Sequence, residues 1–314
     1  MKTNKIKIQC AYEKSNSFLQ EHLNVAWFRP ESALWATIAS TLISNYKIIS
    51  PSLDLGCGNG IFSFITAGGS FSSDYDWYIN ADPGANDGDI YDIFKCNEIS
   101  KYIIKKPLYS FTFGLDHKEN LLKQAEALNF YKKLICHDAN KSLPFGNGEL
   151  ATIFSNIAYW LRQPQRPLRE IHRILRKNGT AILCMPSSNF LRKSFTYCWR
   201  QKKSELLRLL NGGRSEHIHW TISFEDFSAL VKEIGFEIIG HKYYISPLIL
   251  RIWDIGLRPI SPVLIKMANS LTKERRRQIK SEWIKIITGF LLPLLDLERE
   301  SQKKGVFHFF ILKK

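Results

Sequence analysis

Between Leu53 and Gly60 the sequence reads Leu-Asp-Leu-Gly-Cys-Gly-Asn-Gly, with three glycines at alternate positions and a carboxylate two residues before the first. Glycine tolerates positive φ and, lacking Cβ, lets a ligand lie against the chain. A helix beginning after Gly60 adds free N–H groups and a positive dipole end, which suit a carboxylate. Asp54 suits an ammonium. Gly56, Cys57, Gly58, Asn59 and Gly60 therefore read as a cradle for a ligand bearing both charges, an amino-acid headgroup. The dinucleotide pattern G-x-G-x-x-G is not met, because Ile61 stands where the third glycine belongs, and no Gly-Lys-Ser/Thr follows to hold a phosphate.

Further polar side chains fall where apolar, β-forming runs end: Asp116 and His117 after Tyr109–Leu115, Asp138 after Lys133–Cys136, and Ser155 with Asn156 at the end of Leu150–Asn156. His117 also serves as a plain helix start. In Ser-Glu-His-Ile-His-Trp, His217 and His219 alternate, so both point one way if extended. They are candidates for a general base, and Tyr159 is a third. Surface or packing histidines are the plainer reading. No third ligand accompanies the pair, so no metal site is expected. Tyr159 and Trp160 read as a wall or as core.

These positions need a scaffold that brings strand ends together. Residues 26–46 carry a helical pattern that starts at Pro30, with Leu34, Ile38, Leu42 and Ile43 on one face. Strand, glycine turn and helix follow. Thereafter helical stripes over 118–129, 167–177 and 224–234 alternate with strands, and strands at 236–245 and 306–312 close the chain. Such alternation predicts an α/β fold with a doubly wound, Rossmann-like, mostly parallel sheet of seven strands and helices on both faces. Ligands in such sheets bind at the carboxyl ends of the strands. Residues 68–107, rich in Gly, Asp, Ser and Asn, read as an inserted loop with little regular structure.

With 314 residues, 45% of them hydrophobic, the chain suits a single domain with insertions. The N-terminus has no apolar h-region and no stretch is long enough to span a membrane, so a cytoplasmic protein is expected. Six cysteines without a C-x-x-C pair read as thiols. The formal charge of +15 is uneven: residues 51–150 carry 9 basic and 13 acidic side chains, and residues 151–314 carry 29 and 13. A basic excess admits nucleic acid, an anionic membrane surface, a phosphorylated substrate or only solvent.

The pieces in register resemble the class I S-adenosylmethionine-dependent methyltransferases, over roughly residues 51–186. "LDLGCGNG" looks like their first motif. "FGLDH" resembles the second, where an acid binds both ribose hydroxyls; the resemblance puts Asp116 in that role, with His117 beside it. "ICHDANKSLPF" resembles the third, where an aspartate meets the adenine amino group; this implies Asp138, with Ala139 against the ring. "GELATIFSNIAYWL" resembles the fourth strand, whose cofactor-facing end is Ser155-Asn156. "PLREIHRILRKNGTAILCMP" looks like the next helix and strand. S-adenosyl-L-methionine is thus the implied cofactor. Asp82, in "YINADPG", rivals Asp116 because the insertion lengthens the gap after the glycines. The family's last two strands form a near hairpin; here residues 247–304 separate them.

The resemblance implies a single domain over 1–314, with an N-terminal helical extension to about residue 48. The insertions at about 68–107, 187–222 and 247–304 are expected to form a substrate cap. The acceptor is expected to be a small or medium metabolite, such as a glycan, a lipid-linked molecule or a secondary-metabolite precursor. Arg251, Arg258 and Lys266 are candidates to pair with an anionic group on it. Residues 247–304 also admit an interfacial segment with Trp253 and Trp283 at the lipid boundary, or a dimer interface. The Lys273–Arg277 run admits RNA as substrate or as partner of a non-catalytic protein, though no RNA module and no Asn-Pro-Pro-Tyr motif is present.

Overall fold

A computed structural model of the chain describes residues 2–79, 81, 98–198, 205, 218–300 and 305–314. Two helices open it, α1 (Lys2–Val25) and α2 (Pro30–Ile43). Proline at the first helical position of α2 lacks only an N–H that the helix cannot use. Then come β1 (Ser52–Leu55), α3 (Ile61–Thr66), β2 (Ser70–Phe71), β3 (Ile103–Lys105), β4 (Phe111–Asp116), α4 (Glu119–Glu126), β5 (Tyr131–Cys136), β6 (Leu150–Ser155), α5 (Gln165–Ile174) and β7 (Leu175–Pro186). The short helices α6 (Asn189–Lys193) and α7 (Phe195–Cys198) follow, then α8 (Phe224–Ile234), β8 (Glu237–Tyr244), α9 (Pro247–Ile255), α10 (Ser261–Asn269), α11 (Lys273–Glu300) and β9 (Phe307–Lys313).

Seven strands form one sheet in the order β5-β4-β1-β6-β7-β9-β8, with β9 antiparallel to both its neighbours and the other described pairings parallel. Every residue of β1 and β6 is buried, as expected of central parallel strands covered on both faces. One face packs on α1, α2, α3 and part of α9 and α11, through Leu19, Leu34, Phe64, Leu250 and Leu291 among others. The other packs on α5 and α8 through Leu168, Ile171, Phe227 and Val231. Ser223 caps α8 by accepting from the Asp226 N–H at 3.0 Å, and Gly235, at φ +103°, ends it.

The first insertion differs from the expected loop. Ser70–Phe71 pairs antiparallel with Ile103–Lys105, and Tyr75 and Tyr78 are buried. Those aromatic rings supply the apolar area that the polar composition concealed. Tyr78 packs with Trp27 and Phe28 at 6.5 and 5.1 Å between ring centroids. Asp82 lies outside the described residues. The helix expected over 167–177 stops at Ile174, because Leu175 already pairs with Leu150 of β6.

The basic run at the start of α11 is engaged in part, while Lys273 and Arg275 stay exposed. Arg276 is buried and its Nε donates to Asp76 Oδ2 at 2.6 Å, while Arg277 Nε pairs with Asp74 Oδ1 at 2.6 Å. Trp27 Nε1 also donates to Asp76. Lys280 donates to Asn24 Oδ1 at 2.7 Å and to the carbonyls of Ser73 and Tyr75. Burial pulls the Lys280 ammonium down to about 8. These bonds fasten α1, the first insertion and α11 into one body. Removing one partner of such a buried pair destabilises strongly, because it strands a charge.

Candidate functional site

The glycine turn after β1 is held by the neighbouring strand. The N–H groups of Gly56 and Cys57 donate to Leu115 O at 2.7 and 3.0 Å, and that of Gly60 to Cys57 O at 2.9 Å. Gly56, Gly58 and Gly60 adopt φ of 81, 55 and 75°. A Cβ on Gly56 would stand 2.0 Å from Ile157 Cγ1, and one on Gly60 2.8 Å from Tyr131 Cε2. On Gly58 it would meet nothing nearer than Leu121 Cδ1 at 3.9 Å. The outer two glycines are therefore required by their neighbours, and the middle one leaves room above the chain. Asn59 Oδ1 accepts from the Ile61 N–H at 3.2 Å. That donor at the helix start is engaged, and a helix of one and a half turns has a small dipole.

Two carboxylates flank the turn. Asp116, at the end of β4 beside β1, accepts from the N–H of Gly58 through Oδ2 and of Lys118 through Oδ1, both at 2.9 Å. A carboxylate has about four acceptor positions, so each oxygen retains one. His117 Nδ1 lies 3.5 Å from Asp116 Oδ1, with the imidazole largely exposed. Asp54 is buried, and Tyr131 donates to its Oδ2 at 2.8 Å. Burial raises the Asp54 carboxyl to about 6, bonds from Ser63 and Tyr131 oppose this, and the charge of Asp116 adds to it. Burial also lifts the Cys57 thiol well above its usual range, with Asp54 and Asp116 adding to the effect.

The remaining candidates line the same edge of the sheet. Asp138 Oδ1 accepts from Asn140 N and Nδ2 at 2.9 and 3.0 Å, which holds its carboxyl below the usual range. Ala139 is half-buried beside it and packs against the core. Ser155 is buried, its Oγ accepting from Ile157 N–H at 3.4 Å, and Asn156 is half-buried. The Tyr159 ring sits edge-on to Phe307 at 5.7 Å. His219 is exposed and meets this segment only through its N–H, which donates to Tyr159 O at 3.2 Å. His217 lies outside the described residues. No group of three or more potential metal ligands occurs among the described residues.

Two participants escaped the sequence reading. Ile157 overlies Gly56 and Tyr131 clamps Asp54 beneath Gly60. Both depend on which strands lie side by side, and Tyr131 opens a strand 77 positions further on. The one signal for Tyr131 is an aromatic residue at the start of a strand that leads to Asp138.

A doubly wound sheet with one reversed strand near its edge, and a glycine turn with a carboxylate on the adjoining strand, defines a Rossmann-like α/β fold, a class that holds ligands at the strand ends. Residues 98–183, from before β4 to the end of β7, match the methyltransferase domain family. That match, together with the order of the sheet, supports a class I S-adenosylmethionine-dependent methyltransferase fold, for which S-adenosylmethionine is the implied cofactor. The cradle at Gly58 and the two flanking carboxylates fit a cofactor that carries an ammonium, a sulfonium and ribose hydroxyls. The matched stretch begins inside the first insertion, so the glycine turn lies on its N-terminal side. No curated protein has a matching sequence. Solved structures of similar fold include a methyltransferase of Thermotoga maritima described as a possible histamine N-methyltransferase (13% identity, TM-score 0.45, covering 89% of each chain). Another is the cyclase SpnF (12%, 0.47, covering 91% of this chain and 82% of that one). A third is a methyltransferase of Mesorhizobium loti (12%, 0.41, covering 84% and 90%).

Proposed function

We propose that the enzyme methylates a small or medium organic acceptor with a flat or apolar body, which docks between the cap and the end of β7. One observation carries this reading. The partly exposed rings of Trp35 and Tyr159 flank the buried ring of Phe307 at 4.8 and 5.7 Å, and Trp253 lies 4.9 Å from Trp35. Phe307 pairs with Pro186 at the carboxyl end of β7, and Tyr159 follows the loop over Gly56. Aromatic faces at that place suit a ring or an unsaturated chain.

When bound, the cofactor supplies an electrophilic methyl on a sulfonium. The backbone from Gly56 to Gly60, with Cys57 and Asn59, holds the amino-acid end. Asp54 faces its ammonium, Asp116 takes the ribose hydroxyls with His117 alongside, and Asp138 with Ala139 takes the adenine. Ser155 and Asn156 close the methyl-bearing side. Tyr159 with the tryptophans aligns the acceptor, and alignment alone supplies much of the acceleration in a displacement.

Asp54 gives this assignment a pH signature. Its folded-state value lies above the ordinary carboxylate value, so in the free protein its stabilising contribution is present below about 4 and is lost as pH rises through about 6. A cationic ligand needs the ionised form. Affinity for S-adenosylmethionine is therefore expected to fall as pH drops below about 6, approaching about tenfold per pH unit. Calorimetric titration between pH 5 and pH 8, on the wild type and Asp54→Asn, checks it: a wild-type slope as flat as the variant's removes Asp54 from the ammonium.

The acceptor class is tested by labelled methyl transfer into small-molecule fractions and bulk RNA, with Trp253→Ala alongside. The expected result is label in a fraction of low polarity, turnover at least about tenfold lower in the variant, and unchanged cofactor affinity. Label in RNA alone overturns the reading.

A further inference from the structure

We propose that the outer side of α9, α10 and α11 lies on a membrane surface rich in anionic lipid; this holds whichever acceptor is methylated. Nine of the fourteen large hydrophobic side chains that stand exposed among the described residues fall between positions 247 and 300. On α11 they form one stripe, Ile279, Ile286, Phe290 and Leu297, at intervals of seven, four and seven residues, with Phe290 69% and Ile286 60% exposed. The helix buries a different side, carrying Arg276, Lys280, Leu291 and Leu295. Its polar side, with Glu282 and Lys285, is a third. The stripe is therefore neither the core face nor the water face. On α10, Val263 and Met267 are 57% and 62% exposed. Both helices pack on the Trp27 cluster, through Ile265, Ala268, Trp283 and Ile284.

Charge selects the occupant. Arg251, Lys266, Lys273, Arg275 and Lys285 are exposed on these three helices, against Glu274, Glu282 and Asp296. The whole chain carries +15. A second copy would bring another +15 against the first, whereas an anionic leaflet attracts the charge and accepts the apolar stripe. No described helix is long and apolar enough to cross a membrane, so the helices lie in the plane of the interface.

The test is co-sedimentation of the full chain with vesicles of phosphatidylcholine, alone or with about 30% phosphatidylglycerol. The expected result is partitioning onto the anionic vesicles only. It should fall at least about tenfold in Ile286→Glu/Phe290→Glu, and also in Lys266→Glu/Lys285→Glu and at high salt. Unchanged affinity for S-adenosylmethionine shows that the variants are folded. No partitioning onto anionic vesicles overturns the proposal, as does equal partitioning of Ile286→Glu/Phe290→Glu. A wild-type dimer that dissociates in that variant gives the face to a second copy and also overturns it.

Discussion

Gly56→Ala is expected to weaken S-adenosylmethionine binding by at least about a hundredfold and to lower the melting temperature. Two effects add. At φ +81° an L-residue is strained by about 1–2 kcal/mol. The new methyl would also stand 2.0 Å from Cγ1 and 3.2 Å from Cβ of Ile157, a β-branched side chain with few rotamers to retreat into. Overpacking of that kind adds about 1–3 kcal/mol or moves the turn. Gly58→Ala supplies the contrast, since its φ of 55° carries the strain while the space around it is open. Titration calorimetry and thermal melts on both variants separate the terms. If Gly56→Ala binds cofactor as well as Gly58→Ala does, the closeness of Ile157 has no bearing on the site.

The second large effect is at Asp116. Asp116→Ala is expected to reduce cofactor affinity by about 3 kcal/mol, two orders of magnitude, because it removes two charge-assisted acceptors from the ligand and frees the Gly58 N–H. The same loss would follow if Asp116 only anchored the turn. A cofactor analogue without ribose hydroxyls distinguishes the two. If Asp116 binds the ribose, the substitution costs the analogue much less than it costs S-adenosylmethionine, and the difference is the coupling energy. Equal losses for both ligands would leave Asp116 as an anchor of the turn.

The parts of the molecule that carry a local signature were readable before the fold was known. Three alternate glycines after an apolar run announce a turn against a ligand, and acids or polar residues after β-forming runs announce strand ends. The alternation of elements announces the parallel sheet. Partners created by tertiary adjacency were not readable. Nothing near Asp54 in sequence indicates Tyr131, and nothing in the turn indicates Ile157, because one arrives on β5 and the other in the loop after β6. The insertions misled for a related reason. Composition made 68–107 look featureless, yet Tyr75 and Tyr78 anchor it. The Lys273–Arg277 run reads as a solvated or nucleic-acid face; Lys273 and Arg275 are exposed, but Arg276 faces inward to Asp76 and Arg277 pairs with Asp74. A one-dimensional charge count cannot tell a cation that meets water from one that meets a distant carboxylate.

That inward-facing arginine bears on how such an enzyme diversifies. Asp76 belongs to the first insertion, Arg276 and Lys280 to the last, and Asn24 to the N-terminal helices, so each stretch carries half of a bond whose other half lies elsewhere in the chain. A relative that gained only one of them would bury a charge with no counterpart. The three decorations are therefore heritable as a set: a chimera that exchanges one alone is expected to be crippled, while one that exchanges all three can carry a new acceptor preference onto the same catalytic sheet.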